Sequence, residues 1–501
     1  MIMQLVWFKR DLRVEDNLPL TLAAQDDAVI PLYILEPELW QQPDLSYRQY
    51  LFLQDSLKSL DEDLQKLGQR LIIRIGDAVN ILEELTNQHN ITSIWSHQET
   101  WNDWTYQRDK RVQKWLVNKG IVWNQLRQHG VIRKLANRDG WSLEWYKFMK
   151  QLPVNKPPKL KAVAIDTQVL PLAYELGLKN DGVTDIQIGG RKKALEILNS
   201  FLYQRGEGYT KEMSSPLTAY QSCSRLSPYI AFGTISIREI FHAVERRSLE
   251  LKQLANSSRW QSAMRSFAGR LRWHCHFIQK LEDEPQIEFR NMHSAYDGLR
   301  ENDFNHEYFE CWKAGKTGYP MIDACMRALI HTGWINFRMR AMLVSFASYH
   351  LWLDWRYTAP YLASLFTDYE PGIHYSQFQM QSGTTGINTL RIYNPIKQGI
   401  DHDPEGVFIR QWIPELSAMP KEYIHQPWLC SALMNGYPLP VVDEKIARNN
   451  AAKKLYDLRK QSNHKGEAQQ IVHKHASRKT RRVNTKKTIK KQELEQMELE
   501  L

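Results

Sequence analysis

Five apolar runs recur through the first third of the chain: LVWF near residue 5, AVIPLYIL near 30, RLIIRIG near 72, ITSIW near 93 and GIVWNQL near 122. Between them lie stretches such as YLFLQDSLKSLDEDLQKL, whose apolar residues fall three and four apart. Parallel strands need crossover helices and bury both faces, so this alternation predicts an open, mostly parallel, Rossmann-like α/β domain over residues 1–130. No GxGxxG follows the first strand, so an ordinary dinucleotide site there is not indicated. The segment QLPVNKPPKLKAV, with Pro153, Pro157 and Pro158, reads as extended chain and places an interdomain linker over residues 131–195. Beyond it strand alternation fades into long helical stretches, predicting a larger all-α domain over residues 196–430.

Residues 431–501 form a basic C-terminal extension, predicted to be partly disordered. The chain's net charge of +10 belongs to this extension, because between Lys445 and Gln492 sixteen lysines and arginines face only Asp457 and Glu467. Such a segment either contacts phosphate or an acidic surface, or is simply solvated. Its final QELEQMELEL has the composition of a short acidic helix. No stretch is long and uncharged enough for a membrane helix, and the N-terminus has no small-residue cleavage site. The expectation is a cytoplasmic monomer with no membrane contact. Five scattered cysteines form no CxxC pair and no evident ligand set, so no metal is expected.

The stretch from Gly315 to Met342, GKTGYPMIDACMRALIHTGWINFRMRAM, concentrates several signals. Pro320 fits the first helical position, Met321, Ile322, Cys325, Met326, Leu329 and Ile330 make one apolar face, and Gly333 ends the run. A second helix starts near Trp334 and carries Asn336, Arg338 and Arg340, with Asn336 and Arg340 on one face. Guanidiniums on an apolar helix pair need carboxylate, carbonyl or phosphate partners. A structural ion pair and a ligand site both satisfy that need.

Seven motifs, in order, resemble the photolyase/cryptochrome family: WFKRDLRVEDNLPL, SRLSPYIAFGTIS, WKAGKTGYPMIDACMRAL, GWINFRMRAM, LWLDWR, RIYNP and FIRQWIPEL. The resemblance covers residues 3–430. It implies that the α/β domain is an antenna domain and that the helical domain binds FAD non-covalently. It further implies blue-light excitation of that flavin, used for DNA repair of UV-induced pyrimidine dimers or for signalling by a photoreceptor. The implied partner is UV-damaged DNA.

Residue by residue, the resemblance places Arg340 beside the flavin ring system, Asp368 as its carboxylate partner, and Glu370 as a second acid. Asn336 falls in the same group. Tyr209 and the run Ser224, Arg225, Leu226, Ser227 match the phosphate-binding region; by itself SRLS also reads as an ordinary helix cap. Trp273 matches an aromatic that flanks both flavin and a flipped-out base, and Arg270, Phe337 and Phe378 join it as DNA-facing candidates.

The sequence also departs from the family pattern. Arg270 stands where a carboxylate or amide is usual. Of three relay tryptophans only the middle one is kept, as Trp355, and Phe378 occupies an aromatic position as a poor electron donor. His374 or Gly372 stands opposite flavin N5; His374 there either donates a proton or bonds a backbone carbonyl. A second antenna chromophore, folate or deazaflavin, would meet Glu99 and Asn102, with Trp101 filling part of the cavity. The contexts of the cysteines do not match those of relatives that hold an iron–sulfur cluster, and none is expected.

Overall fold

The computed structural model describes residues 2–25, 27–460 and 464–476. Five strands, β1 (Met3–Phe8), β2 (Ala28–Leu35), β3 (Ile72–Ile75), β4 (Ile91–His97) and β5 (Val122–Leu126), form one parallel sheet in the order β3-β2-β1-β4-β5. The order reverses at β1, so crossover helices fall on both faces. Three of those helices are α1 (Tyr47–Lys66), α2 (Ala78–Gln88) and α3 (Asp103–Lys119). The interior strand β2 is buried along its whole length, as its unbroken apolar sequence requires.

The segment expected to be a linker is more ordered than its prolines suggested. It contains a helix, α4 (Trp141–Lys150), whose Trp141, Trp145 and Met149 are buried in the core. Prolines constrain only their neighbourhood, and all three follow this helix.

From residue 191 onward the chain is helical, as the fading alternation predicted. The elements that frame the site are α5 (Ser258–Asp283), α6 (Pro320–Thr332), α7 (Phe337–Ser345), α8 (Trp355–Leu365) and α9 (Pro371–Ser382). Pro320 is at N1 of α6 and Gly333 closes it at φ +67°, both as read from sequence. Asn336, rather than Trp334, caps the start of α7.

The two domains share one continuous core. Arg48, from α1 and fully buried, donates to the carbonyls of Leu329, Ile330 and Leu365 and forms an ion pair with Asp181. Those carbonyls lie at the C-terminal ends of α6 and α8, where helix acceptors lack intrahelical partners.

Packed structure does not stop at residue 430. Helices α10 (Glu444–Arg459) and α11 (His464–His475) dock on the body, with Ala451, Leu455, His464, Ile471 and His475 buried. The rest of the basic extension, including the expected acidic helix, lies outside the described residues. Among the described residues, no helix is long and apolar enough to cross a membrane.

Candidate functional site

Helices α5 and α9 cross very closely: a Cβ on Gly372 would fall 2.5 Å from the Ile278 Cα. This approach sets the α5 residues Arg270, Trp273 and His274 on the same cavity as His374 and Phe378 of α9. The cavity, of about 350 Å³, is completed by α7 and by the segment preceding α9. Most sequence candidates line it: Tyr209, Ser224, Arg225, Ser227, Arg270, Trp273, Asn336, Phe337, Arg340, Asp368, Glu370, His374 and Phe378.

Three candidates do not. Leu226 is only 1% exposed and belongs to the core, its place in SRLS being that of the cap residue of a short helix. Trp355 lies behind the cavity, its indole Nε1 donating to Asn291 Oδ1 at 2.8 Å. Gly372 does not line the cavity either, being consumed by the helix crossing, so His374 is the residue of that pair that does.

The electrostatic centre is a two-point pair. Arg340 Nη1 and Nη2 donate to Asp368 Oδ1 and Oδ2 at 3.0 and 2.9 Å, while its Nε donates to the Ile335 carbonyl at 2.7 Å. All three kinds of guanidinium nitrogen are thereby fixed, which is the geometry arginine alone supplies. The guanidinium also lies 4.1 Å from the Phe366 ring centroid. Asn336 donates through Nδ2 to the carbonyls of Met213 and Ser214, leaving its buried Oδ1 without a partner. The oxygens Gln377 Oε1, Gln381 Oε1 and Glu370 Oε1 are likewise buried and unpartnered.

Burial pushes the Glu370 carboxyl up to about 8, against the pull of Arg10. Burial also lowers His374 to about 4, so its ring is neutral at physiological pH. Its Nε2 is 2.9 Å from the Ala359 carbonyl, an acceptor only, so Nε2 carries the hydrogen and Nδ1 is bare. Of the two sequence readings for His374, the carbonyl bond is the one observed.

Arg225 adopts φ +59°, and its guanidinium lies 3.8 Å from the Tyr220 and 4.2 Å from the Trp334 ring centroids. Arg270 lies 5.0 Å from the Trp273 ring and also interacts with the Tyr209 hydroxyl, which burial raises to about 12. Phe337 is 48% exposed and marks the mouth. Sequence reasoning missed Arg338, Phe366 and Tyr369 as lining residues. Arg338 had a signal in its alternation with Arg340; Tyr369 had none beyond its place between two acids.

Near the α/β domain, Arg10 lies 3.4 Å from the Trp101 ring centroid, and only about 40 Å³ is free beside them. Glu99 forms ion pairs with Arg108 and, at 3.6 Å, with Lys9. A larger cleft of about 470 Å³ is lined by Asn102, Trp104, Arg108, Glu288, Trp355 and Tyr375, among others.

Comparison with known proteins agrees with this arrangement. Residues 4–138 match the family profile described as DNA photolyase, and residues 267–457 match the FAD binding domain of DNA photolyase. The chain is 30% identical over 467 residues to deoxyribodipyrimidine photo-lyase from Vibrio cholerae, covering 89% of this chain and 97% of that one. It is 29% identical over 491 residues to cryptochrome-2 from Arabidopsis thaliana, covering 90% and 78%. The crystal structure of a bacterial class III photolyase from Agrobacterium tumefaciens superposes with a TM-score of 0.80 at 26% identity, covering 92% of this chain and 98% of that one. With a parallel-sheet first domain, a helical second domain and a cavity built around Arg340 and Asp368, the chain belongs to the photolyase/cryptochrome family.

Proposed function

We propose that this protein is a light-driven DNA photolyase that binds FAD in the helical-domain cavity and splits UV-induced pyrimidine dimers. The observation that carries the reading is the sharing of one cavity by the Arg340–Asp368 pair and by the aromatic surfaces of Trp273 and Phe337. A cofactor and an extruded base would thus be neighbours.

The residues present fit FAD. Four arginines line the cavity, Arg225, Arg270, Arg338 and Arg340, against Asp368 and the mostly protonated Glu370, an excess of positive charge suited to a pyrophosphate. The unpartnered Asn336 Oδ1 and the bare His374 Nδ1 are acceptors for ring N–H groups. Ser224 and Ser227 add hydroxyls, and Phe277, Val344 and Ile373 exclude water. Once bound, the reduced flavin would supply light-driven one-electron chemistry to the lesion.

The chain's own part is to bind and orient. Arg340 holds a fixed cation whose direction Asp368 enforces. His374, neutral and tied to the Ala359 carbonyl, accepts a hydrogen bond and does not serve as an acid at neutral pH. Trp273 offers a π surface to an extruded base, while Arg270 offers donors to its carbonyls. For a second chromophore of the folate or deazaflavin kind, the 470 Å³ cleft is the roomier place, with Asn102 on its wall. Glu99 is committed to Lys9 and Arg108 and is not available to it.

A cryptochrome-like photoreceptor without repair activity is the second reading. It is favoured by Arg270, a donor where the family pattern has a carboxylate or amide. The discriminating experiment is illumination of UV-irradiated DNA with protein whose flavin has been chemically reduced beforehand, with a dark control, scoring cyclobutane dimers and (6-4) products separately. Light-dependent loss of either lesion supports the photolyase; reduced flavin without repair leaves the photoreceptor.

A further inference from the structure

The chain widens just before it reaches the wall of the flavin cavity. The helix Arg191–Ser200 passes into a π-helical turn, Phe201–Arg205, and four residues later Tyr209 lines the cavity. Single π-helical turns are found mostly at functional sites. The last side chain of this one is Arg205, which is half-buried and does not line the cavity itself.

Arg205 uses all five of its guanidinium N–H groups. Nε donates to Ser200 Oγ at 2.9 Å, Nη1 to the carbonyls of Gln221, at 2.9 Å, and Cys223, and Nη2 to those of Ser224, at 2.7 Å, and Ile197, at 3.3 Å. Three of these carbonyls belong to the chain that leaves the helix Pro216–Ser222 and enters the SRLS run, where helix acceptors lack intrahelical partners. Gln187 holds the next residue: its Nε2 donates to the Arg225 carbonyl at 3.0 Å, while Arg225 Nε donates to Gln187 Oε1 at 3.1 Å. Arg225 adopts φ +59°, a conformation that a residue other than glycine keeps only where its surroundings impose it, and these two side chains impose it.

The consequence is electrostatic as well as steric. In a trans peptide the N–H points opposite the C=O, so drawing back the carbonyls of Cys223 and Ser224 directs the N–H groups of Ser224 and Arg225 away from Arg205. Ser224 and Arg225 belong to the cavity wall, and Arg205 stands behind them. The five bonds of Arg205 go to carbonyls and a hydroxyl rather than to a carboxylate. Burial and the neighbouring Arg225 lower it only to about 10, which leaves it charged at neutral pH. Two guanidiniums that repel each other are reconciled by an anion bound between or before them. We propose that Arg205 is a positioning residue for the FAD pyrophosphate: without touching the cofactor, it withdraws the carbonyls of the 221–224 segment and sets Ser224 and Arg225 against the phosphates. This rests on the reading of the cavity as the FAD site.

The test compares FAD-loaded wild type, Arg205→Lys and Arg205→Met. Lysine keeps the charge but has three donors for five acceptors, and methionine keeps only an apolar stem. Release of FAD on dilution, read from the rise in flavin fluorescence, is expected to be about tenfold faster in Arg205→Met and intermediate in Arg205→Lys. In phosphorus NMR the pyrophosphate resonances of bound FAD move toward those of free FAD in Arg205→Lys, while the flavin absorption bands keep their wild-type shape. That combination separates positioning of the phosphates from a general loosening of the cavity, which alters the bands as well. Wild-type release rates and phosphorus shifts in both variants would overturn the assignment, as would bands and phosphorus shifts that change together. A wild-type protein that takes up no FAD would overturn the reading of the cavity and this assignment with it, and is told apart from a failure confined to the variants.

Discussion

The Tyr369 hydroxyl donates to Asp44 Oδ2 at 2.6 Å, joining the wall of the flavin cavity to the loop that follows β2 in the other domain. Both residues are buried, and burial raises the Asp44 carboxyl above its ordinary range. Tyr369→Phe leaves that carboxyl without its phenolic donor, at a cost of about 1–3 kcal/mol in thermal unfolding. The combined Tyr369→Phe, Asp44→Asn variant is expected to lose less than the sum of the single changes. Strict additivity would mean that the bond contributes nothing across the boundary.

Arg340→Lys retains charge but cannot reproduce the two-point bond to Asp368 together with the bond to the Ile335 carbonyl. Flavin retained through purification, read from its absorbance, is expected to fall several-fold in Arg340→Lys and further in Arg340→Ala. Retention equal to wild type in Arg340→Ala would remove the pair from the binding site.

The Glu370 carboxyl, held at about 8 by burial, keeps its proton in the folded state when the unfolded chain, at the ordinary carboxyl value, has lost it. The folded protein therefore binds more protons between about pH 4.5 and 8, and stability falls as pH rises through that window. Glu370→Gln lacks this dependence. The difference in stability between the variant and the wild type should shift in the variant's favour by up to about 1.4 kcal/mol per pH unit across the window and level off above it. Parallel pH profiles for the two proteins would show that Glu370 is ionised at neutral pH.

Phe378 resists oxidation, so electron supply from outside is expected to run through the aromatic residues behind the cavity. The Tyr375 ring is 5.3 Å from His374, which lines the cavity, and 6.2 Å from Trp355, which lines the outer cleft. Trp355→Phe and Tyr375→Phe are each expected to slow light-driven reduction of bound oxidised flavin in the presence of a thiol. Rates equal to wild type in both would direct the search to another path.

Helix α11 is anchored by His293 Nε2 on the His464 carbonyl at 3.0 Å, by Ser294 on Glu467, and by His475 on Glu284 at 2.6 Å. Ending the chain at residue 460 exposes the faces that His464, Ile471 and His475 cover. A fall of several degrees in Tm is expected, with flavin content maintained. If the basic residues beyond α11 contact DNA, the same truncation also flattens the salt dependence of DNA binding.

The sequence made local geometry legible wherever a residue's chemistry acts on its own neighbours. Pro320 and Gly333 bounded α6, and the strand alternation gave the sheet. Arg340 demanded a carboxylate, carbonyl or phosphate partner, and the family resemblance supplied Asp368. Contacts that depend on how distant segments meet left no such trace: Tyr369 with Asp44, the commitment of Glu99 to Arg108, and the docking of α11 on residues 293–294. The linker reading described the proline segment itself, which is neither helix nor strand, but missed α4 just before it, where the tryptophan periodicity was outweighed by three prolines. Leu226 belonged to a motif whose neighbours Ser224, Arg225 and Ser227 line the cavity, and motif membership carries no information about which way a side chain points.

Arg48 sets the terms on which this molecule can be taken apart. One guanidinium from the first domain closes the open ends of two helices of the second. A chimera carrying a foreign first domain without an arginine at this position would leave the Ile330 and Leu365 carbonyls without this donor beneath the interface. The transplantable cassette is therefore the two domains together, and neither half is a portable part.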